Sequence, residues 1–184
     1  MFVAGPAAAA TNDTYRAKQW GLNKIQAEAA WTTSDGTGAI IAVVDSGVDM
    51  GHPDLDGKLL AGRDFVDGGT PQDENGHGTH VAGIAAAETN NSLGVAGTAP
   101  GAQILPVRVL DAEGSGSTDA VADGIRYAAD QGADVINLSL GITAGVGQAV
   151  KLIGALDPIY EAIDHAWNSG SVVVIAAGND TVPL

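Results

Sequence analysis

Ala39-Ile40-Ile41-Ala42-Val43-Val44-Asp45 decides the fold. The run is apolar at every position before the closing acid, rich in β-branched side chains, and entered through the breaker Ser34-Asp-Gly-Thr-Gly38. A strand with one wet face alternates polar and apolar residues. A run without alternation belongs to a strand covered on both faces, the situation of parallel sheets. Further apolar runs lie at 104–109, 133–140 and 171–177, with Pro106 weakening the first as a central strand because proline cannot donate to the ladder. Helical spacing fills the gaps. Val121, Ile125 and Ala128 share one face of 118–131, which Gly132 ends. Ile159, Ala162, Ile163, Ala166 and Trp167 share one face of a helix opened by an Asp157 N-cap with Pro158 behind it and closed at Gly170. Strands alternating with helices require right-handed crossovers. The predicted fold is therefore α/β, three-layered, a mainly parallel β-sheet with helices on both faces.

The 184 residues suffice for one domain with a substantial core. Apolar residues make up 45% of the chain but aromatics only 4%, so that core must consist of Ala, Val, Ile and Leu, with 26 glycines permitting close approach. Eight Lys and Arg stand against 22 Asp and Glu, a formal net charge of -14, which repels nucleic acid and anionic membranes; neither is expected as a partner. Surplus carboxylates suit hard cations such as calcium. The absence of cysteine excludes disulfides, thiolate catalysis and cysteine zinc sites. No run approaches the ~20 apolar residues of a membrane span. Met1 to Ala10 is small and apolar but lacks the basic start of a signal peptide, and reads as an engineered start or the trace of a removed leader. Residues 1–20 form an N-terminal arm that Tyr15 and Trp20 are expected to staple to the body, followed by a short helical turn at 25–31.

In parallel sheets, ligand chemistry gathers at the carboxyl ends of the strands. Asp45 closes the first run, and Ser139 and Asn179 fall at or just beyond the ends of two others. The segment Asn75-Gly-His-Gly-Thr-His-Val-Ala-Gly-Ile-Ala-Ala-Ala87 mounts His77 at a helix mouth facing them. Gly76 and Gly78 leave room beside His77 for a substrate backbone, and the small residues after His80 let the helix press against the sheet. An imidazole titrating near pH ~6.5 can take and return a proton. A strand-end Asp and a helix-mouth His are two members of a nucleophilic triad, in which the carboxylate fixes the tautomer and the other ring nitrogen activates a hydroxyl. His77 and His80 also have a His-x-x-His spacing, without an evident third zinc ligand. A dinucleotide site is not indicated, since no Gly-x-Gly-x-x-Gly follows any strand.

Three ordered blocks, Val44-Asp45-Ser46-Gly47-Val48-Asp49, Asn75-Gly-His77-Gly-Thr-His80-Val-Ala-Gly83 and Ala176-Ala-Gly178-Asn179, resemble the Asp, His and oxyanion-Asn blocks of the subtilases, the subtilisin-like serine proteases. Segments 19–26, 89–95 and 127–132 resemble the thermitase branch of that family. The resemblance runs from about Thr11 to Asn179 and makes residues 21–184 a partial subtilisin-like peptidase domain. It implies that Asp45 orients, that His77 is general base and acid, and that the Asn179 amide donates to the oxyanion of the tetrahedral intermediate. Such a donor is worth about 2.7–4 kcal/mol in the transition state, a value measured in subtilisin itself. It also implies that Gly114-Ser115-Gly116 and Ser139-Leu140-Gly141 pair main chain with an extended polypeptide substrate from its two sides. His80 is expected to be a packed residue.

Subtilases carry their nucleophile in a Gly-Thr-Ser-x-Ala block downstream of the oxyanion Asn, and these 184 residues contain none. The chain is therefore expected to be truncated or incomplete and inactive in isolation, with one face of its sheet left uncovered. It reads as part of an enzyme, as one half of a split protease completed by a complementary C-terminal segment, or as a non-catalytic peptide-binding module. Ser139 is the sole stand-in: Asn137-Leu-Ser139-Leu-Gly141 matches a nucleophile elbow except for its first residue. Ile142, where another glycine is common, and the longer stretch 143–156 put pocket preference outside the resemblance.

The resemblance further implies two structural calcium sites. The first takes carboxylates from Asp13 and Asp54, an amide oxygen from Asn91 and backbone carbonyls from Thr89, Leu93 and Val95, tying down the arm. The second takes Asp64, Asp67, Thr70 and Gln72, with Gly68-Gly69 standing where a further carboxylate belongs. The expectation is a calcium-stabilised, secreted serine endopeptidase.

Overall fold

The apolar run around Val43 forms the middle strand of a parallel sheet. The computed structural model describes residues 11–141 and 156–179. Its strands are β1 (Ile40–Asp45), β2 (Arg63–Asp64), β3 (Gln103–Arg108), β4 (Val135–Leu138) and β5 (Val172–Ile175). They lie in the order β2-β3-β1-β4-β5, and every pairing is parallel. The helices are α1 (Trp20–Ile25), α2 (Ala27–Trp31), α3 (His77–Ala86), α4 (Thr118–Asp130) and α5 (Asp157–Asn168). None of the described helices is long and apolar enough to cross a membrane.

Side chains alternate across β1, so the sheet has two dry faces. Ala42 and Val44 join Val107, Ile136, Ile125 and Ala162 in the layer under α4 and α5. Val43 points the other way and packs with Ile104, Leu55, Ala82 and Ala86 under α3. This is the three-layer arrangement expected from unalternated strands.

Pro106 sits inside the sheet without breaking it. Ile104 N–H and C=O bond to Lys58 and Leu60, and Arg108 C=O accepts from Phe65 N–H, so the even-numbered groups of β3 face the β2 side. The missing Pro106 donor falls in the gap between the Leu59 bridge and β2, where no ladder bond is required. Gly62, at φ +65°, runs so close to the Pro106 carbonyl that a Cβ there would overlap it.

Three local expectations need correction. Tyr15 and Trp20 do not staple the arm: Trp20 is 76% exposed. The arm is held by polar groups instead. Gln19 and Ala96 exchange two hydrogen bonds of 2.8 and 2.9 Å, and the buried Arg16 guanidinium reaches Glu28 and Asn23. The helical turn at 25–31 is two helices broken at Gln26, which takes a left-handed φ of 57°. Leu156, not Asp157, is the residue before α5, and Trp167 stands 70% exposed beside the stripe of Ala162 and Ala166 that packs on the core. Val172 and Val174, on the face of β5 opposite the packed Val173, are about half exposed, so among the described residues the face covered by α3 at β1 is left bare at β5.

Candidate active site

β1 ends in Asp45, whose side chain is fully buried. α3 begins at His77, whose ring is half exposed. The two meet: His77 Nδ1 lies 2.7 Å from Asp45 Oδ1, which also accepts from Ser46 N–H at 2.7 Å. A carboxylate can only accept, so the Nδ1–H tautomer makes this bond and leaves the Nε2 lone pair on the open side. Among the described residues nothing hydrogen-bonds to Nε2, and Asp45 Oδ2 is buried without a partner.

Close approach of α3 to β1 requires Gly78. A Cβ there would overlap the Gly47 carbonyl oxygen and lie 3.2 Å from Asp45 Cβ. The residue is buried, so its missing side chain serves the junction with Asp45 and not a substrate, contrary to the expectation from sequence. Gly76 precedes the helix at φ +100° with open space around its Cα. His80, expected to be packed, is exposed on the described surface.

A second layer of bonds was not legible in the motif. Asp73 Oδ1 accepts from Ser46 Oγ at 2.8 Å, Asn75 N–H at 3.0 Å and Gly76 N–H at 2.9 Å. Asp73 Oδ2 accepts from Thr79 N–H and Thr79 Oγ1. Ser46 Oγ in turn accepts from Gly78 N–H at 3.0 Å. Burial would raise the Asp73 carboxyl, but the Thr79 hydroxyl and the Gly76, Thr79 and Asn75 amides outweigh it and hold the group below the usual carboxyl range. The signal available in the sequence was Asp73 standing just before Asn75-Gly76, the pattern of an Asx turn leading into a helix.

The expected substrate segments lie near the same end of the sheet. At 111–116, Asp111 turns the chain back: its carboxylate accepts from Ser115 N–H and its own N–H donates to Ser115 C=O. That commits the Ser115 backbone inward. The Gly114 carbonyl and both backbone groups of Gly116 form no hydrogen bond with other described residues. A cavity of about 450 Å³ opens beside Ser115 and Gly116, lined also by Phe65, Val66 and Val109. Ser139 follows β4, and its Oγ accepts from Asn137 Nδ2 at 2.9 Å, with no bond to His77. Leu140 is partly buried and Gly141 exposed; Ile142 and most of 143–156 lie outside the described residues. Asn179 is exposed four residues beyond β5, at the same end of the parallel sheet as Asp45.

Of the residues expected at the first calcium site, Asp13, Asp54 and Asn91 are brought together. Asp54 Oδ1 accepts from Asn91 Nδ2 at 2.8 Å and Oδ2 from Val95 N–H at 2.8 Å, while Asp13 Oδ1 accepts from Asn91 N–H at 3.2 Å. Leu93 C=O accepts from Thr14 N–H, linking loop and arm. Asp13 Oδ2 is buried and has no hydrogen-bond partner. The buried Asp13 Oδ2 is an orphaned acceptor that a hard cation would satisfy with neutral oxygens of the loop, although Asn91 turns its Nδ2 to Asp54 and commits its Oδ1 to Leu93 N–H, so its amide oxygen is not presented as expected. No group of three or more His, Asp or Glu among the described residues is arranged for a metal, so an ion here would depend on those neutral oxygens.

The residues named for the second site are arranged differently. Asp64 and Asp67 each lie 2.9 Å from the Nη1 of buried Arg108, whose Nη2 reaches Glu74 at 2.8 Å. Burial would raise the Asp64 carboxyl, and the Val66 and Asp67 amides with Arg108 hold it below its usual range. Thr70 is exposed, and the Gln72 amide bonds to Met50 and Asp49. A guanidinium faces the two acids. Arg108, the lone cation in an apolar run, is the sequence signal for this cluster.

A parallel α/β sheet with a carboxylate–imidazole pair at its strand ends is the frame of a triad hydrolase. A family model described as the subtilase family matches residues 36–183, and the chain belongs to that family, the subtilisin-like serine proteases. It is 59% identical over 170 residues to thermitase of Thermoactinomyces vulgaris, covering 91% of this chain and 57% of that protein. It is 52% identical to the thermophilic serine proteinase of Bacillus sp. (strain AK1), covering 92% of this chain and 40% of that one. A solved protease of Pseudoalteromonas arctica PAMC 21717 superposes with a TM-score of 0.78 at 34% identity, over 94% of this chain and 60% of that chain. The chain thus spans about half the length of the relatives it matches.

Proposed function

We propose that the chain is the part of a secreted subtilisin-like serine endopeptidase that supplies Asp45, His77 and Asn179, the nucleophilic serine lying outside these 184 residues. The observation that carries this reading is the 2.7 Å contact between a buried strand-end carboxylate and an imidazole whose other nitrogen is open. His77 Nε2 would take the proton from the serine hydroxyl as it attacks the scissile carbonyl, while Asp45 stabilises the imidazolium. The proton would then pass to the leaving amine. The Asn179 amide would donate to the developing oxyanion. The unpaired backbone groups of Gly114 and Gly116 support main-chain pairing with an extended polypeptide along one side, and Ser139, Leu140 and Gly141 the other. Calcium held by Asp13, Asp54 and Asn91, with carbonyls of Thr89, Leu93 and Val95, would tie the arm to the loop and act on stability alone.

We read the isolated 184 residues as inactive toward peptides, because the bond between Ser139 Oγ and Asn137 supports a structural place for that hydroxyl. The test is cleavage of quenched fluorogenic peptides by a polypeptide joining these residues to a serine-bearing subtilase segment. Cleavage that is lost on Asp45→Asn and on His77→Ala is expected. Cleavage indifferent to both substitutions would refute the reading.

A further inference from the structure

Asp45 and His77 are 32 positions apart in sequence, and one hydrogen bond between side chains does not by itself fix a helix against a strand. The chain between them returns to the junction at Asp73. We propose that Asp73 is a positioning residue for the peptidase reaction, holding the end of β1 and the start of α3 in the register that lets His77 Nδ1 meet Asp45. The inference rests on the reading of Asp45 and His77 as a catalytic pair.

Its geometry is specific. Asp73 does not touch the imidazole. Its carboxylate takes the Ser46 hydroxyl from the strand side, and Asn75 N–H, Gly76 N–H, Thr79 N–H and Thr79 Oγ1 from the helix side. The Ser46 hydroxyl, its proton committed to Asp73, offers a lone pair to Gly78 N–H. The residue after Asp45 is thereby tied to the residue after His77, and the same anion binds Ser46 on the strand side and Asn75, Gly76 and Thr79 around the helix start. Every partner is a donor, and three are backbone N–H groups that cannot turn round. An isosteric amide would place an NH2 opposite such a donor on either side, so Asp73→Asn would lose bonds at one oxygen whichever way it is turned.

The experiment is proton NMR of the 184-residue chain labelled with 15N at histidine, following the low-field His77 Nδ1–H signal. In the wild type this proton is expected to be observable and slowly exchanging, and Asp45→Asn to abolish it. Asp73→Asn and Ser46→Ala are each expected to speed its exchange by about tenfold or more, with the double variant no worse than the stronger single one. The core substitution Ile125→Val, matched in melting temperature, is expected to leave it unchanged. If Asp73→Asn does not fold, Ser46→Ala carries the test alone. Exchange unchanged in both variants would overturn the positioning role. A signal that survives Asp45→Asn would instead overturn the pair itself.

Discussion

Ser46 and Gly78, the residues that follow Asp45 and His77, are joined by a hydrogen bond of 3.0 Å from the Gly78 amide to the Ser46 hydroxyl. The strand end and the helix start are thus clasped through their second residues as well as through the carboxylate and the imidazole. Precision in the pair is a property of the junction, and the junction depends on having no side chain at Gly78.

Gly78→Ala is expected to push α3 away from the Gly47 carbonyl, destabilising the chain by about 1–3 kcal/mol, as overpacking does. Gly21→Ala, in α1 with nothing within 4 Å of its Cβ, is expected to be neutral or stabilising by up to about 1 kcal/mol. Urea unfolding of the two variants checks this. Equal effects at both sites would contradict it.

The Asp73 carboxyl sits below its usual range in the folded chain, against about 3.9 when unfolded. A depressed folded value makes the linked stability complete above the unfolded value and removes it as pH falls through the folded one. The stability gap between wild type and Asp73→Asn is therefore expected to be flat at neutral pH and to shrink below about pH 3.9. Denaturation midpoints across that window check it, and a gap that widens on acidification would be inconsistent with the sign.

Arg108 is buried between one buried acid, Asp64, and two exposed ones, Asp67 and Glu74. Removing the guanidinium leaves Asp64 uncompensated, so Arg108→Ala is expected to cost about 3–5 kcal/mol. Asp67→Ala and Glu74→Ala, with water available to the partner, are each expected to cost about 1 kcal/mol or less. Thermal melts separate these outcomes, and a mild Arg108→Ala would show that the cluster is not buried as described.

Calcium at Asp13 and Asp54 would stabilise by mass action, about 2.7 kcal/mol at a hundredfold excess over Kd, or roughly 5–10 °C in Tm for a chain of this size. Chelation is expected to lower Tm by that order, and Asp13→Asn to remove most of the calcium dependence. A Tm indifferent to chelator would exclude a resident ion.

The layout of the sheet could be read from β1, β3, β4 and β5 because each strand carries an apolar run, unbroken in β1 and β5, and helices α4 and α5 because their buried stripes keep the helical period. Asp45 and His77 could be read because their chemistry sits in short, local blocks. Asp73, Ser46 and Arg108 leave only partial signals: the bonds of Asp73 to Asn75, Gly76 and Thr79 are local, but its bond to Ser46, like those of Arg108 to Asp64 and Glu74, depends on tertiary approach of segments distant in sequence. Tyr15, Trp20 and Trp167 misled for a related reason. A large apolar side chain signals burial only if some element covers it, and in the described residues none covers Trp20 or Trp167.

Active-site labelling tests the central claim most directly. A fluorophosphonate is applied to the 184-residue chain and to a polypeptide joining it to a serine-bearing subtilase segment. The joined polypeptide is predicted to be labelled at that serine alone, with the rate falling by orders of magnitude on His77→Ala; in subtilisin itself, removing the triad histidine costs about 2 × 10⁶ in kcat. The 184-residue chain alone is predicted to remain unlabelled. Stoichiometric labelling of the chain at Ser139, or labelling of the joined polypeptide undiminished by His77→Ala, would contradict the account.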